Sequence, residues 1–106
     1  MDRIEALRAM LRENPDDALG HYLLASELFT LGRHRECIEA LMTYLSLAED
    51  EGAAYRTLAQ CHEVLGEIAE ARRAYEAGIR QAEKHHHPGM AEEFRDRLRE
   101  LAASNG

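Results

Sequence analysis

The sequence of 106 residues has no tryptophan, only two prolines and only two cysteines. Two cysteines cannot build a disulfide framework. No apolar run approaches the roughly 18 residues that a membrane-spanning helix requires. The N-terminus also lacks the charged and then apolar segments of a secretory signal. We therefore expect a cytoplasmic protein that has no membrane partner.

Positive charge is scarce as well. The chain has 13 lysines and arginines against 20 aspartates and glutamates, which gives a net charge of -7. An acidic surface argues against nucleic acid and anionic membranes as partners. The composition is otherwise that of one folded domain, and its dominant residues (Ala, Leu, Glu and Arg) are strong helix formers. A single all-helical domain is predicted.

The sequence repeats itself at an offset of 34 residues, the distance from Gly32 to Gly66. Leu31-Gly32-Arg33 returns as Leu65-Gly66-Glu67, and Leu24-Ala25 returns as Leu58-Ala59. Apolar residues on both sides of each glycine recur at helical intervals. The glycine supplies the positive φ that closes a helix. Each unit is therefore predicted to form a helix, a tight turn and a second helix.

The two ends of the chain depart from this repeat. Residues 1–13 predict a helix that ends at Asn14-Pro15, after which Asp16 or Asp17 can cap the next helix. Near the other end Pro88 suits the first turn of a new helix. That helix has one apolar stripe, formed by Met90, Phe94, Leu98 and Leu101. The predicted order is a half repeat (1–15), two repeats (18–51 and 52–85) and a capping helix (88–104).

The 34-residue unit resembles a tetratricopeptide repeat. The residues that carry the resemblance are His21-x-x-Leu24-Ala25-x-x-Leu28, Gly32 and Cys37-x-x-x-Leu41, then Tyr55-x-x-Leu58-Ala59-x-x-His62, Gly66 and Ala71-x-x-x-Tyr75. The resemblance implies an all-α fold, a right-handed superhelix of antiparallel helix pairs. It would comprise a half repeat, two full repeats and a C-terminal capping helix.

The sequence departs from the family's pattern at several positions. Glu49 and Glu83 replace the closing proline, so the second helix of the last pair is expected to continue toward His85. Gly78 stands where a small alanine is usual, which predicts looser packing there. Arg3 replaces another small residue, which makes the first half repeat degenerate.

Proteins of this kind generally bind other proteins on a concave surface, lined mainly by the first helix of each pair. Carried over by position, the partner-binding candidates are Leu19, Tyr22, Ser26 and Phe29 in the first repeat and Arg56, Gln60 and Glu63 in the second. The chaperone-type carboxylate clamp needs a lysine and an asparagine where this chain has Tyr22 and Ser26. Recognition of a C-terminal acidic motif is therefore not expected.

The leading hypothesis is a scaffold or adaptor that binds a peptide or helix of a partner protein. Leu19, Tyr22 and Phe29 would anchor an apolar side chain of the partner, while Arg56 and Gln60 would orient a polar group. The alternatives are that the apolar face belongs to the core, or that it contacts a second copy in a homo-oligomer. Arg56 and Gln60 could equally form a solvated helix face.

We expect no catalytic site, cofactor or metal. The chain has no phosphate-binding glycine loop and no serine elbow. His85-His86-His87 could bind metal, but adjacent residues on a helix point in different directions and a structural zinc needs four ligands. Gly66 occupies the second histidine position of the zinc-protease motif that His62-Glu63 would begin. Cys37 and Cys61 are interpreted as small buried hydrophobic residues.

Overall fold

A computed structural model describes residues 2–105; Met1, where the expected first helix begins, and Gly106 lie outside that range. The described residues form six α-helices and no strand. The helices are α1 (Arg3–Glu13), α2 (Ala18–Thr30), α3 (His34–Leu47), α4 (Ala53–Val64), α5 (Ile68–Lys84) and α6 (Pro88–Asn105). The chain divides into two compact units. Unit 1 is Met1–Glu49 and contains α1 to α3, and unit 2 is Asp50–Gly106 and contains α4 to α6.

Aspartates set the start of three helices. The Asp2 carboxylate accepts a hydrogen bond from the Glu5 N–H at 2.8 Å, and that of Asp17 accepts one from the Gly20 N–H at 3.0 Å. Asp17 rather than Asp16 therefore caps α2. In unit 2 the buried Asp50 accepts from the backbone N–H groups of Gly52 and Ala54 at the start of α4, a role that the sequence did not suggest. Each cap satisfies helix donors that would otherwise lack partners and contributes about 1 kcal/mol.

Three helices end in the same hydrogen-bonded turn. In each turn a backbone N–H donates to the carbonyl five residues earlier: Arg33 to Leu28 at 2.9 Å, Glu67 to His62 at 2.8 Å, and His87 to Ala82 at 2.7 Å. This is the Schellman motif, which places one residue in the left-handed region. That residue is Gly32 (φ 73°), Gly66 (φ 76°) or His86 (φ 61°). The two glycine turns were predicted, whereas the third turn has a histidine at this position.

The remaining helix ends agree with the sequence. Glu83 lies within α5, which continues to Lys84, and α6 begins at Pro88.

Each unit has its own core. The core of unit 1 contains Ile4, Leu11, Leu24, Ala25, Leu28, Cys37, Ile38, Ala40 and Leu41. The core of unit 2 contains Ala54, Leu58, Ala59, Cys61, Ala71, Ala74, Tyr75, Ala82, Ala91, Phe94 and Leu101. Both cysteines are buried and free.

Gly78 brings two helices close together, so the prediction of loose packing at this position was wrong. A Cβ atom there would lie 2.7 Å from Cε2 of Phe94 and 3.0 Å from Cβ of Tyr55. The Phe94 ring, on α6, is fully buried and lies 5.6 Å from the Tyr75 ring, centroid to centroid. The missing methyl group therefore makes room for an aromatic ring. The repeat pattern did not show this because Phe94 lies outside the two repeats.

Candidate partner-binding surfaces

In unit 1 the four candidate residues follow one another along α2. Leu19 is 66% exposed, whereas Tyr22 and Phe29 are half-buried. The Tyr22 ring packs on that of Tyr44 in α3, with 5.1 Å between the ring centroids. Phe29 meets the His34 ring edge to face at 5.9 Å. Leu19 therefore offers apolar surface to solvent, while the two aromatic rings are partly held by α3.

Ser26, the polar member of this row, is exposed. Its hydroxyl donates to the Tyr22 carbonyl of the preceding turn at 3.1 Å. A serine in this position satisfies its own donor within the helix. Leu23, one turn beyond Leu19, adds another partly exposed apolar side chain that the sequence analysis did not select.

In unit 2 the candidate Arg56 is turned toward α6. Its guanidinium donates two hydrogen bonds to the Glu93 carboxylate, at 2.6 and 2.8 Å, and lies 5.5 Å from the centroid of the Phe94 ring. A two-pronged bond of this kind is stronger and more directional than a single one. The bond from Arg56 also lowers the pKa of Glu93. Arg56 thus fixes a helix of its own unit.

Glu63 is likewise engaged inside unit 2. Its carboxylate accepts from the Tyr75 hydroxyl at 2.5 Å and from Nε of Arg97 at 3.1 and 3.2 Å. Burial alone would raise the pKa of Glu63, but the hydrogen bonds from Arg97 and Tyr75 outweigh it and lower that pKa. Burial and the Glu63 carboxylate together raise the pKa of Tyr75. The three groups form a network that joins α4, α5 and α6.

A groove of about 850 Å³ lies in unit 2 beside this network. We call it the α4–α6 groove. Its lining residues are Gln60, Glu63, Val64, Tyr75, Gly89, Glu92, Glu93, Asp96, Arg97 and Glu100. Of the candidates in the second repeat, Gln60 and Glu63 line this groove, whereas Arg56 is not part of the lining. Val64 is 63% exposed and gives the groove an apolar contact point that the sequence analysis did not select.

The contribution of α6 to this surface was not predicted from the sequence. Its charged side chains resemble an ordinary solvated face, and residues spaced three or four apart do pair there, such as Arg97 with Glu100 at 2.6 Å. Glu93 and Arg97 also reach across to α4. One signal for these pairs was present in the sequence. The positive Arg56 precedes the negative Glu63 on α4, whereas the negative Glu93 precedes the positive Arg97 on α6, so the charges of the two helices are complementary in order.

The histidines do not assemble a metal centre. Nε2 of His87 lies 2.6 Å from the Glu51 carboxylate, and Nδ1 of His62 lies 2.9 Å from that of Glu67. Between residues 2 and 105, no three or more His, Cys, Asp or Glu side chains are grouped so that they could hold a metal ion. Over the same range, no helix has both the length and the apolar character needed to cross a bilayer.

The chain is similar to known proteins in its sequence pattern and in its fold. The family model described as "Tetratricopeptide repeat" matches residues 1–78. No curated protein matches the chain. The fold is similar to the solution structure of protein BPP2914 from Bordetella parapertussis, with a TM-score of 0.81 and 24% sequence identity over 99% of this chain and 91% of that chain. At that identity the likeness concerns the fold alone. The predicted all-α fold of tetratricopeptide type is confirmed.

Proposed function

Because the chain belongs to the tetratricopeptide repeat family, whose members serve as protein-interaction modules and are generally not enzymes, we propose that it is a scaffold or adaptor that binds a segment of a partner protein. The binding residues lie on the first helix of each repeat, α2 and α4. The observation that carries the proposal is the α4–α6 groove, because it opens beside two of the predicted contact residues, Gln60 and Glu63.

The groove suits a polypeptide segment. It combines the exposed Val64 with a wall of polar side chains, over the nearly buried Tyr75. Binding grooves commonly pair apolar contact with a few polar groups that fix orientation. Since Glu63 already holds Arg97 and Tyr75, Gln60 is the candidate whose amide is best placed to meet the backbone of a bound segment.

In unit 1 the contact is apolar. Leu19 presents most of its side chain to water beside the partly exposed ring of Tyr22. Full burial of a leucine side chain against a partner would contribute about 1.5–3 kcal/mol. Interfaces commonly draw much of their affinity from a few such anchors. We call Leu19 and Tyr22 the α2 surface. Leu19 is its anchor, and Tyr22 lies beside it.

A binding experiment tests the proposal. Peptides that bind the immobilised protein are selected from a displayed library, and their affinities are measured for the wild type, Leu19→Glu, Val64→Asp and the matched control Met42→Glu. Met42 is 55% exposed on α3, the second helix of its repeat. We expect Leu19→Glu or Val64→Asp to weaken binding at least tenfold, since losing one anchor costs about 1.4 kcal/mol or more. Met42→Glu should bind like the wild type.

The location of binding is checked by amide chemical shifts during titration with a selected peptide. Shifts centred on Leu19, Gln60 or Val64 would support the proposal. Shifts confined to α3 and α5, or equal weakening by Met42→Glu, would refute it. Light scattering on the same variants separates the alternative of a homo-oligomer, since a dimer formed through the α2 surface would dissociate in Leu19→Glu.

A further inference from the structure

We propose that two copies of this chain can exchange their C-terminal helices, so that α6 of each copy docks on α4 and α5 of the other. The hinge is residues 85–87, between α5 and α6. The partner is a second copy of the same chain. The inference does not depend on which protein segment binds elsewhere.

The hinge is the first argument. It has the same Schellman hydrogen bonds as the turns after α2 and α4, but those turns have Gly32 and Gly66 at the left-handed position, where the hinge has His86. A side chain makes this conformation unfavourable for L-residues. Pro88 comes directly after the hinge, and the residue before a proline, here His87, prefers an extended backbone. Short hinges under strain favour the exchange of an element between copies.

The docking site of α6 is the second argument. Phe94 is fully buried over Gly78 and against Tyr75. Glu93 pairs with Arg56, and Arg97 pairs with Glu63. All of these partners lie on α4 or α5, so α6 of a second copy would find the same set of contacts. The exchanged dimer therefore keeps the buried interface of α6 with α4 and α5. Only the backbone conformation of the hinge differs from that of the closed monomer.

The hinge consequently decides the balance between the closed monomer and the exchanged dimer. Opening releases the left-handed His86 in each of the two chains. The contact between His87 and Glu51 ties the hinge to the segment that precedes α4, but both side chains are substantially solvent-exposed, so it holds the closed form only weakly. Dimer formation costs translational freedom, and this cost favours the closed monomer. The dimer should therefore increase with protein concentration and after joint refolding.

A charge-complementation experiment tests the exchange. One sample carries Arg56→Glu and another Glu93→Arg, both on exposed or half-exposed side chains. In either variant alone, like charges face each other between α4 and α6. When the two are unfolded, mixed and refolded, an exchanged heterodimer restores two attractive pairs. We expect native mass spectrometry to show a 1:1 heterodimer at twice the 12.0 kDa mass of the chain, in clear excess over the 1:2:1 proportion of homodimer, heterodimer and homodimer that random pairing of equal amounts would give. The random 1:2:1 distribution of the three dimers, or monomers alone, would overturn the proposal.

The hinge variant His86→Gly provides an independent measurement. Glycine adopts the left-handed conformation freely. We expect the dissociation constant of the dimer to rise about 25-fold, since each of two hinges loses a penalty of about fivefold. Circular dichroism checks that the variants are folded. A dimer whose affinity is unchanged in His86→Gly would show that the copies associate through another surface, and would refute the hinge.

Discussion

The two units use their side chains differently. Of the eight large hydrophobic residues exposed in the described chain, six lie in unit 1 (Met10, Leu19, Leu23, Leu31, Met42 and Leu47) and two in unit 2 (Val64 and Leu65). In unit 2 the candidates Arg56 and Glu63 hold α6 in place, together with the buried Phe94. The equivalent positions in unit 1 are Tyr22 and Phe29, whose rings are half-buried. Similar helix pairs thus serve different ends: unit 2 fixes its own terminal helix, whereas unit 1 leaves apolar surface available.

The strongest way to break this comparison is to remove the anchor of α6. We expect Phe94→Ala to lower the free energy of unfolding by about 3–5 kcal/mol, because it leaves a cavity beside Gly78 and Tyr75. Urea denaturation measures the loss. The control Met42→Ala, on an exposed side chain of unit 1, should change stability by about 0.5 kcal/mol or less. A similar loss in both variants would show that Phe94 is not a special anchor.

Overfilling the same contact should cost less. Gly78→Ala places a methyl group against the Phe94 ring, so we expect a loss of about 1–3 kcal/mol despite the better helix propensity of alanine. Gly89→Ala is the matched control, because a Cβ atom at that position would meet nothing within 4 Å. That control should gain up to about 1 kcal/mol. If both substitutions stabilise the protein, the close approach at Gly78 is absent in solution.

The Glu63 network predicts a pH dependence for unit 2. The pKa of Glu63 is lowered in the folded protein, so its contribution is present above its ordinary value of 4.5 and is lost as the pH falls through the lowered pKa. Glu63→Gln should cost about 1–2 kcal/mol at neutral pH and should flatten the fall in stability on acidification. Denaturation at a series of pH values measures both effects.

Glu36 in unit 1 supplies the comparison for this pH dependence. Hydrogen bonds from Arg33 and then Arg8 lower its pKa to about 2, but its carboxylate is more open to water. Glu36→Gln should therefore change stability less than Glu63→Gln does. A larger effect at Glu36 would mean that exposed ion pairs, rather than the partly buried network, govern the acid response.

The smallest expected effect concerns the three turns. His86→Gly should stabilise the monomer by about 0.5–1 kcal/mol, because the left-handed position no longer holds a side chain. Gly66→Ala, at the equivalent position after α4, should destabilise it by a similar amount. Thermal denaturation of the two variants measures the difference. Changes of the same sign would show that the two turns are not equivalent.

Local sequence signals predicted most of the fold. The spacing of Gly32 and Gly66, the proline at Pro88 and the aspartate pair Asp16-Asp17 each marked a helix end through a rule that acts over a few residues. The third turn escaped because His86 has no local signal for a left-handed backbone. The turn shows itself in the structure, through the hydrogen bond from His87 to Ala82 and the positive φ of His86.

The candidate surface was harder to predict. Family position placed Gln60 and Glu63 near one another, but it could not show that Arg56 and Glu63 are engaged by α6. Those pairs join residues 37 and 34 positions apart in the sequence. The prediction of loose packing at Gly78 was wrong for the same reason. Its partner Phe94 lies 16 positions away, in a helix that the repeat pattern does not cover. Such contacts follow from packing, which a periodic pattern does not encode.

The bond between Tyr75 and Glu63 also has an optical consequence. The chain has no tryptophan, so its near-ultraviolet emission comes from four tyrosines. A phenol that donates to a carboxylate emits weakly, because the excited phenol readily transfers its proton to the carboxylate. Tyr75 should therefore emit weakly while Glu63 is ionised and accepts this hydrogen bond, and should brighten when Glu63 is protonated or when α4 and α5 separate. The protein thus carries an intrinsic fluorophore that reports the state of the bond between α4 and α5 without any label.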